Sequence, residues 1–216
     1  MKEKKATTPL TQSRVDGEDT GENKKGTWCD CAIVADADYV NGVAFNLTVN
    51  FERMLGRRIP PADLAQWAEC VALDGGLREG NHEVNVVLVH DKASRQMDNF
   101  RPADYERELT GQAFRSNLGE FVLNAVSVEE LTTKELLISD IVGVLLTQPD
   151  VKHIILIPDT DAGTVPDALR RTLQRSEGEK NITLLSMQPL AGGRFQQEIL
   201  GYSLMQALGI HADELR

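Results

Sequence analysis

The pattern of apolar and polar positions changes its period several times along this chain, and each change marks an element. CAIVAD (Cys31–Asp36) is apolar up to its last residue, the pattern of a strand buried on both faces. Ala44, Leu47, Phe51, Met54 and Leu55 then recur at helical spacing, with Asn41 as the candidate cap and Gly56 as the stop. Pro60-Pro61 opens a second helix, with Leu64, Trp67, Ala68 and Val71 on one face. The turn residues Gly75-Gly76 and Gly80-Asn81 precede a strand over residues 84–91. A polar loop and a helix over 102–113 follow, then a strand over 120–128. In the remainder the pattern predicts a helix over 133–146, a continuously apolar strand over 153–158, a helix over 164–175, a strand over 181–187 and a last helix over 195–208.

Strands alternating with helices in this order predict an α/β fold, a three-layer α/β/α arrangement around a mostly parallel central sheet. Residues 1–27 are polar and mixed in charge, too poor in large apolar side chains to offset the entropy of ordering. They are read as a disordered N-terminal tail ahead of one domain over residues 28–216.

Composition narrows the function classes. The formal net charge is −10, the wrong sign for a protein that grips many phosphates, so extensive DNA binding is not expected. A short contact with RNA remains compatible with it. No apolar stretch approaches the roughly 20 residues needed to span a bilayer. The N-terminus lacks the apolar core of a secretory signal, which places the expectation in the cytoplasm. Cys29, Cys31 and Cys70 are odd in number and fall at no zinc-ligand spacing with a histidine.

Candidate chemistry lies at the strand ends, where open α/β sheets place their sites. One buried strand ends in Asp36-Ala37-Asp38 and another in Asp159-Thr160-Asp161. Carboxylates brought together raise one another's pKa unless a cation neutralises them, and all-oxygen ligands suit Mg2+ or Mn2+. The competing reading is that these aspartates cap helices and make turns. On the helix between them, Leu137, Asp140, Ile141 and Val144 fall at i, i+3, i+4 and i+7, which puts Asp140 on or beside the apolar stripe. Thr132-x-x-Glu135 spells a capping box, although Glu135 also stands where it can face a cleft. Asp38 is a further acid of the cluster, and His90-Asp91 ends a strand beside it or makes a turn. Lys134, Arg170 and Arg171 are candidates for phosphate contact, with solvated helix charges as the alternative.

Asp36-Ala37-Asp38-Tyr39 after a strand resembles the opening of PIN-like NYN domains, where Asp-Gly-x-Asn follows the first strand. TTKELLISDIVGVLLTQPDVKHIILIPDTDAG resembles their central block, an acidic helix followed by a strand ending in Ser-Gly-Asp-x-Asp. The resemblance spans roughly residues 31–187. It implies a ribonuclease-like phosphodiesterase in which Asp36, Asp140, Asp159 and Asp161 hold divalent metal, with Asp36 and Asp159 as direct ligands. Several positions depart from the pattern: Tyr39 for Asn, Pro158 for Gly, Ala162 for an aromatic, and Lys134 where the first helix acid falls.

Two other readings stay open. A non-catalytic interaction module that retains the PIN-like fold would bind a protein partner or form a homo-oligomer. A haloacid-dehalogenase-like phosphatase would use Asp36 as nucleophile and Asp38 as general acid, with magnesium at Asp159 and Asp161.

Overall fold

The computed structural model describes residues 29–175, 180–193 and 195–215. The tail expected over residues 1–27 lies outside the described residues. In chain order the elements are β1 (Cys31–Asp36), α1 (Ala37–Leu55), β2 (Ala62–Asp63), α2 (Leu64–Asp74), β3 (His82–His90) and β4 (Phe100–Arg101). A single π-helical turn (Tyr105–Leu109) leads to β5 (Ala113–Ser116), β6 (Gly119–Ser127), α3 (Lys134–Thr147), β7 (His153–Ile157) and α4 (Asp167–Gln174). The chain continues through β8 (Asn181–Ser186), β9 (Gln196–Ile199), α5 (Leu200–Ala207) and a 3-10 turn (Ala212–Leu215).

Seven strands form the central sheet in the order β5-β6-β3-β1-β7-β8-β9. All neighbours run parallel except the edge pair β5–β6. β1 sits in the middle, pairing with β3 on one side and β7 on the other. Its alternate residues therefore feed two different cores. Cys31, Ile33 and Ala35 pack with α1, α2 and α5, while Ala32 and Val34 pack with α3 and α4. Burial on both faces is why β1 carries no polar residue before Asp36. From β1 the chain builds outward first to β3 and β6, then in the opposite direction to β7, β8 and β9. The strand order thus reverses between β1 and β7, which opens a crevice at their carboxyl ends.

Several elements differ from the sequence reading, each for a local reason. Helix α1 begins at Ala37 rather than near Asn41, because Asp36 leaves the strand and accepts the Tyr39 N–H at 3.0 Å. Asn41 lies inside the helix and uses its side-chain oxygen to accept the Asn99 N–H at 3.0 Å. Gly56 does end α1, in the left-handed conformation at φ 65°. Asp63 caps α2 through the Gln66 N–H, so Pro60 and Pro61 precede the helix instead of opening it. The helix expected over 102–113 is one π-helical turn, and Ala113–Ser116 forms an edge strand whose Phe114 stacks on Phe121 at 4.8 Å. The final helix starts only at Leu200, since Gln196–Ile199 alternates exposed and half-buried and pairs with β8. Among the described residues, no helix is long and apolar enough to cross a membrane.

One acid works against the fold. Asp74 ends α2, where burial and then the charge of Glu198 push its carboxyl up to about 6. A carboxyl raised in the folded state penalises folding wherever both states are ionised, that is above about pH 6. The penalty fades as pH falls through the folded value and is gone below the unfolded value near 4. Asp74→Asn is expected to stabilise the protein by about 1 kcal/mol at pH 7.5, discounted for partial exposure. Thermal melts of both proteins across pH 3–8 check this: the gap should shrink below about pH 6 and close below pH 4.

Candidate functional site at the carboxyl ends of β1 and β7

The crevice between β1 and β7 holds the acids picked out in the sequence, together with a cation that the sequence placed elsewhere in the chemistry. Asp36, the last residue of β1, is 3% exposed. Its Oδ1 accepts the Tyr39 N–H and a hydrogen bond from Lys134 Nζ at 3.0 Å. Two residues on, Asp38 accepts from Ser94 Oγ at 2.6 Å, from the Asp91 N–H at 2.8 Å and from Lys134 Nζ at 2.9 Å. Asp91, just beyond β3, brings a third carboxylate to within 3.3 Å of the same ammonium. Lys134 is the first residue of α3, an unfavourable end of a helix for a positive charge. Its long stem carries the ammonium away from the helix and into the carboxylates.

The electrostatics follow from this arrangement. Burial pushes the Asp36 carboxyl up, and the Tyr39 N–H and Lys134 offset only part of it. Burial acts in the same direction on Asp38, but hydrogen bonds from Ser94, Lys134 and the Asp91 N–H outweigh it and hold that carboxyl below the usual range. Burial would lower the Lys134 ammonium. Its hydrogen bonds to Asp38 and Asp36 and their charges reverse the sign and hold it well above the ordinary lysine value.

Across the crevice, β7 runs into Pro158-Asp159-Thr160-Asp161. Asp159 folds back so that its Oδ1 accepts the Asp161 N–H at 2.9 Å. Thr160 is buried, and its hydroxyl meets the Tyr39 hydroxyl at 3.1 Å, tying the two strand ends together. Glu135 reaches from α3 to α4, where its Oε1 accepts the Ala168 N–H at 3.0 Å. Helix α4 begins after Pro166 and has no side-chain cap of its own, so Glu135 supplies one from a neighbouring helix. The capping box at Thr132 is not formed, since Thr133 caps α3 through the Leu136 N–H.

The structure brings together Asp36, Asp38, Lys134, Glu135, Asp159 and Asp161, but not the remaining candidates. Asp140 is exposed and does not line the crevice. The buried stripe of α3 is Ile138, Val142 and Leu145 with Ser139, so the apolar phase lies on a different side of the helix from the one read in the sequence. Arg170 and Arg171 are exposed on α4 and stand outside the crevice, with Arg170 paired to Asp167. Asp91 and Ser94 join the cluster from the segment that follows β3. The sequence showed the His90-Asp91 pair at a strand end and gave no sign of Ser94. His90 itself turns away and stacks on Tyr105, with ring centroids 3.9 Å apart.

The crevice is an open cleft of about 590 Å3, lined by the carboxylates of Asp36, Asp91, Glu135, Asp159 and Asp161 and by one ammonium, Lys134. Its donor set does not fit the expected Mg2+ or Mn2+. The place where carboxylates converge is taken by Lys134, Glu135 caps a helix, and Asp159 closes a turn. Among the described residues no three His, Cys, Asp or Glu side chains are grouped so as to hold a metal ion. What the arrangement supplies instead is an ammonium-neutralised anchor beside a strongly negative wall.

A family model described as a family of unknown function, DUF6621, matches residues 25–215. No curated protein and no solved structure matches the chain.

Proposed function

We propose that this chain, which belongs to the DUF6621 family, is a non-catalytic interaction module built on a PIN-like fold. The observation that carries the reading is Lys134, whose ammonium lies 3.0, 2.9 and 3.3 Å from the carboxylates of Asp36, Asp38 and Asp91. A divalent ion at that point would have to displace a salt-bridged lysine. The PIN-like part rests on layout: a helix directly after β1, α3 ahead of β7, and acidic strand ends side by side. Such a layout speaks to fold and leaves activity to the site.

Electrostatics favour a basic partner over a phosphodiester backbone. Five carboxylates face one ammonium in the cleft, within a chain of net charge −10. The phosphatase reading has equally little support. Asp38 would have to act as an acid, yet its hydrogen bonds keep it ionised and tie it to residues 91–94.

Isothermal titration calorimetry with MgCl2 and MnCl2 is expected to show no saturable binding. Single-stranded RNA incubated with the protein and either ion is expected to stay intact. Metal-dependent cleavage that Asp36→Asn abolishes would overturn the proposal and restore the nuclease reading.

A further inference from the structure

On the sheet face covered by α3 and α4, β6 reaches β7 through α3 and β7 reaches β8 through α4. The next crossover is different: residues 187–193, between β8 and β9, form no helix. The helical layer therefore stops at α4. Between α4 and this loop lies a cavity of about 100 Å3, with Val165, Leu173, Ala191 and Phe195 in its lining beside the polar Thr164 and Arg170. Val165 and Leu173 belong to the core beneath the helices and Phe195 packs against it, so the cavity opens into apolar core. The Arg170 guanidinium is paired with Asp167.

Size selects the occupant. A cavity of about 150 Å3 takes a benzene ring, and pockets for larger ligands start at roughly 300 Å3. At about 100 Å3 this one fits a single branched aliphatic side chain and excludes a nucleotide. Position selects the neighbours of that side chain. Thr164 lines both the cavity and the acidic cleft, so a segment that fills the cavity continues alongside Asp159 and Asp161. Cationic residues flanking the apolar one gain from that wall. An anionic membrane surface is repelled by it, and so is a second copy of this chain, which brings its own net charge of −10.

We propose that the cavity is the docking pocket for a leucine-like side chain of a partner protein, carried on a segment whose flanking lysines or arginines face the acidic cleft. The side chain extends the core where the helical layer stops, packing against Leu173 and Phe195, and supplies most of the affinity. The flanking cations supply orientation and a fast encounter. This names the partner chemistry of the interaction module and rests on that reading.

The test is titration of the full chain, 15N-labelled, with the peptide acetyl-Lys-Lys-Leu-Lys-Lys-amide, followed by amide NMR shifts. The controls are the same peptide with serine for leucine and with glutamates for the lysines, and isovalerate is a separate arm. The expected result is saturable shifts at Val165, Leu173, Gly192 and Phe195, with both control peptides binding at least tenfold more weakly. A Cβ added at Gly192 meets nothing within 4 Å, so Gly192→Leu keeps the fold while adding bulk to the cavity lining. It should weaken the leucine peptide at least fivefold and leave the serine peptide unchanged. Shifts absent from these amides, equal binding of either control peptide, or no effect of Gly192→Leu overturns the proposal. So does isovalerate binding more tightly than the peptide, which identifies a small-carboxylate site at Arg170. Absence of peptide shifts without any RNA cleavage removes only the pocket assignment, whereas metal-dependent cleavage removes the interaction-module reading itself.

Discussion

Lys134→Met is expected to lower the unfolding free energy by about 3 kcal/mol, the low end of what breaking a buried ion pair costs. Methionine keeps most of the stem and its packing but removes the ammonium. Asp36 would then be left 97% enclosed with only a backbone N–H for its charge, beside Asp38 and Asp91. The Lys134 side chain is 20% exposed, which keeps the expected figure below that of a fully dry pair. Urea denaturation of the two single variants and of the double variant Lys134→Met/Asp36→Asn measures it. The double variant should recover at least half of the loss, because the buried charge goes with its partner. A loss under about 0.5 kcal/mol would mean that the pair behaves as a surface salt bridge.

Asp38→Ala should follow at about 2 kcal/mol, with its damage confined to one region. Ser94 Oγ and the Asp91 N–H lose their acceptor, and Lys134 Nζ loses one of its three carboxylates. The chain leaving β3 is tied down through these contacts, so amide exchange at 91–94 should accelerate before that of the sheet. The pH dependence has a definite sign. A carboxyl held below its ordinary value contributes stability that is complete above the unfolded pKa, near 4, and is lost as pH falls through the folded value. The gap between the parent protein and Asp38→Ala is therefore expected to be constant from pH 8 to 5 and to shrink below pH 4. A gap that widens in acid would contradict the assigned hydrogen bonds.

Sequence pattern was most informative where a side chain had one possible environment. The residues of β1 are enclosed on both faces, so their unbroken apolar run marked the strand and the position of Asp36 at its end. Helix α3 was legible as a helix but not in rotation. Leu136, Leu137, Ile141 and Val144 make it apolar on nearly every side, so its period fits more than one buried face. That is how Asp140 came to be counted with the site. Glu135 was readable only through its own helix, where it spells half of a capping box. Its actual partner, Ala168 N, begins another helix that lacks a cap. Lys134 is the sharpest case. A lysine at a helix start looks like a solvated charge, and nothing local says that it will meet Asp36 and Asp38, 98 and 96 positions earlier. Pairings of that range depend on strand order, and strand order is set by the competition of whole elements for the core.

The central place of β1 has a consequence for synthesis on the ribosome. β1 is the first strand of the described chain to be made, yet one of its edges waits for β7, with Cys31 opposite His153 and roughly 120 residues between them. Until β7 emerges, a strand that the finished fold buries along its whole length has one row of unpaired amides and carbonyls, and a second strand can add to that row. Lys134 reaches the ribosome exit before β7 does. Its early attachment to Asp36 would bring α3 over the face of β1, shielding the unfinished sheet while its last partners are still being translated.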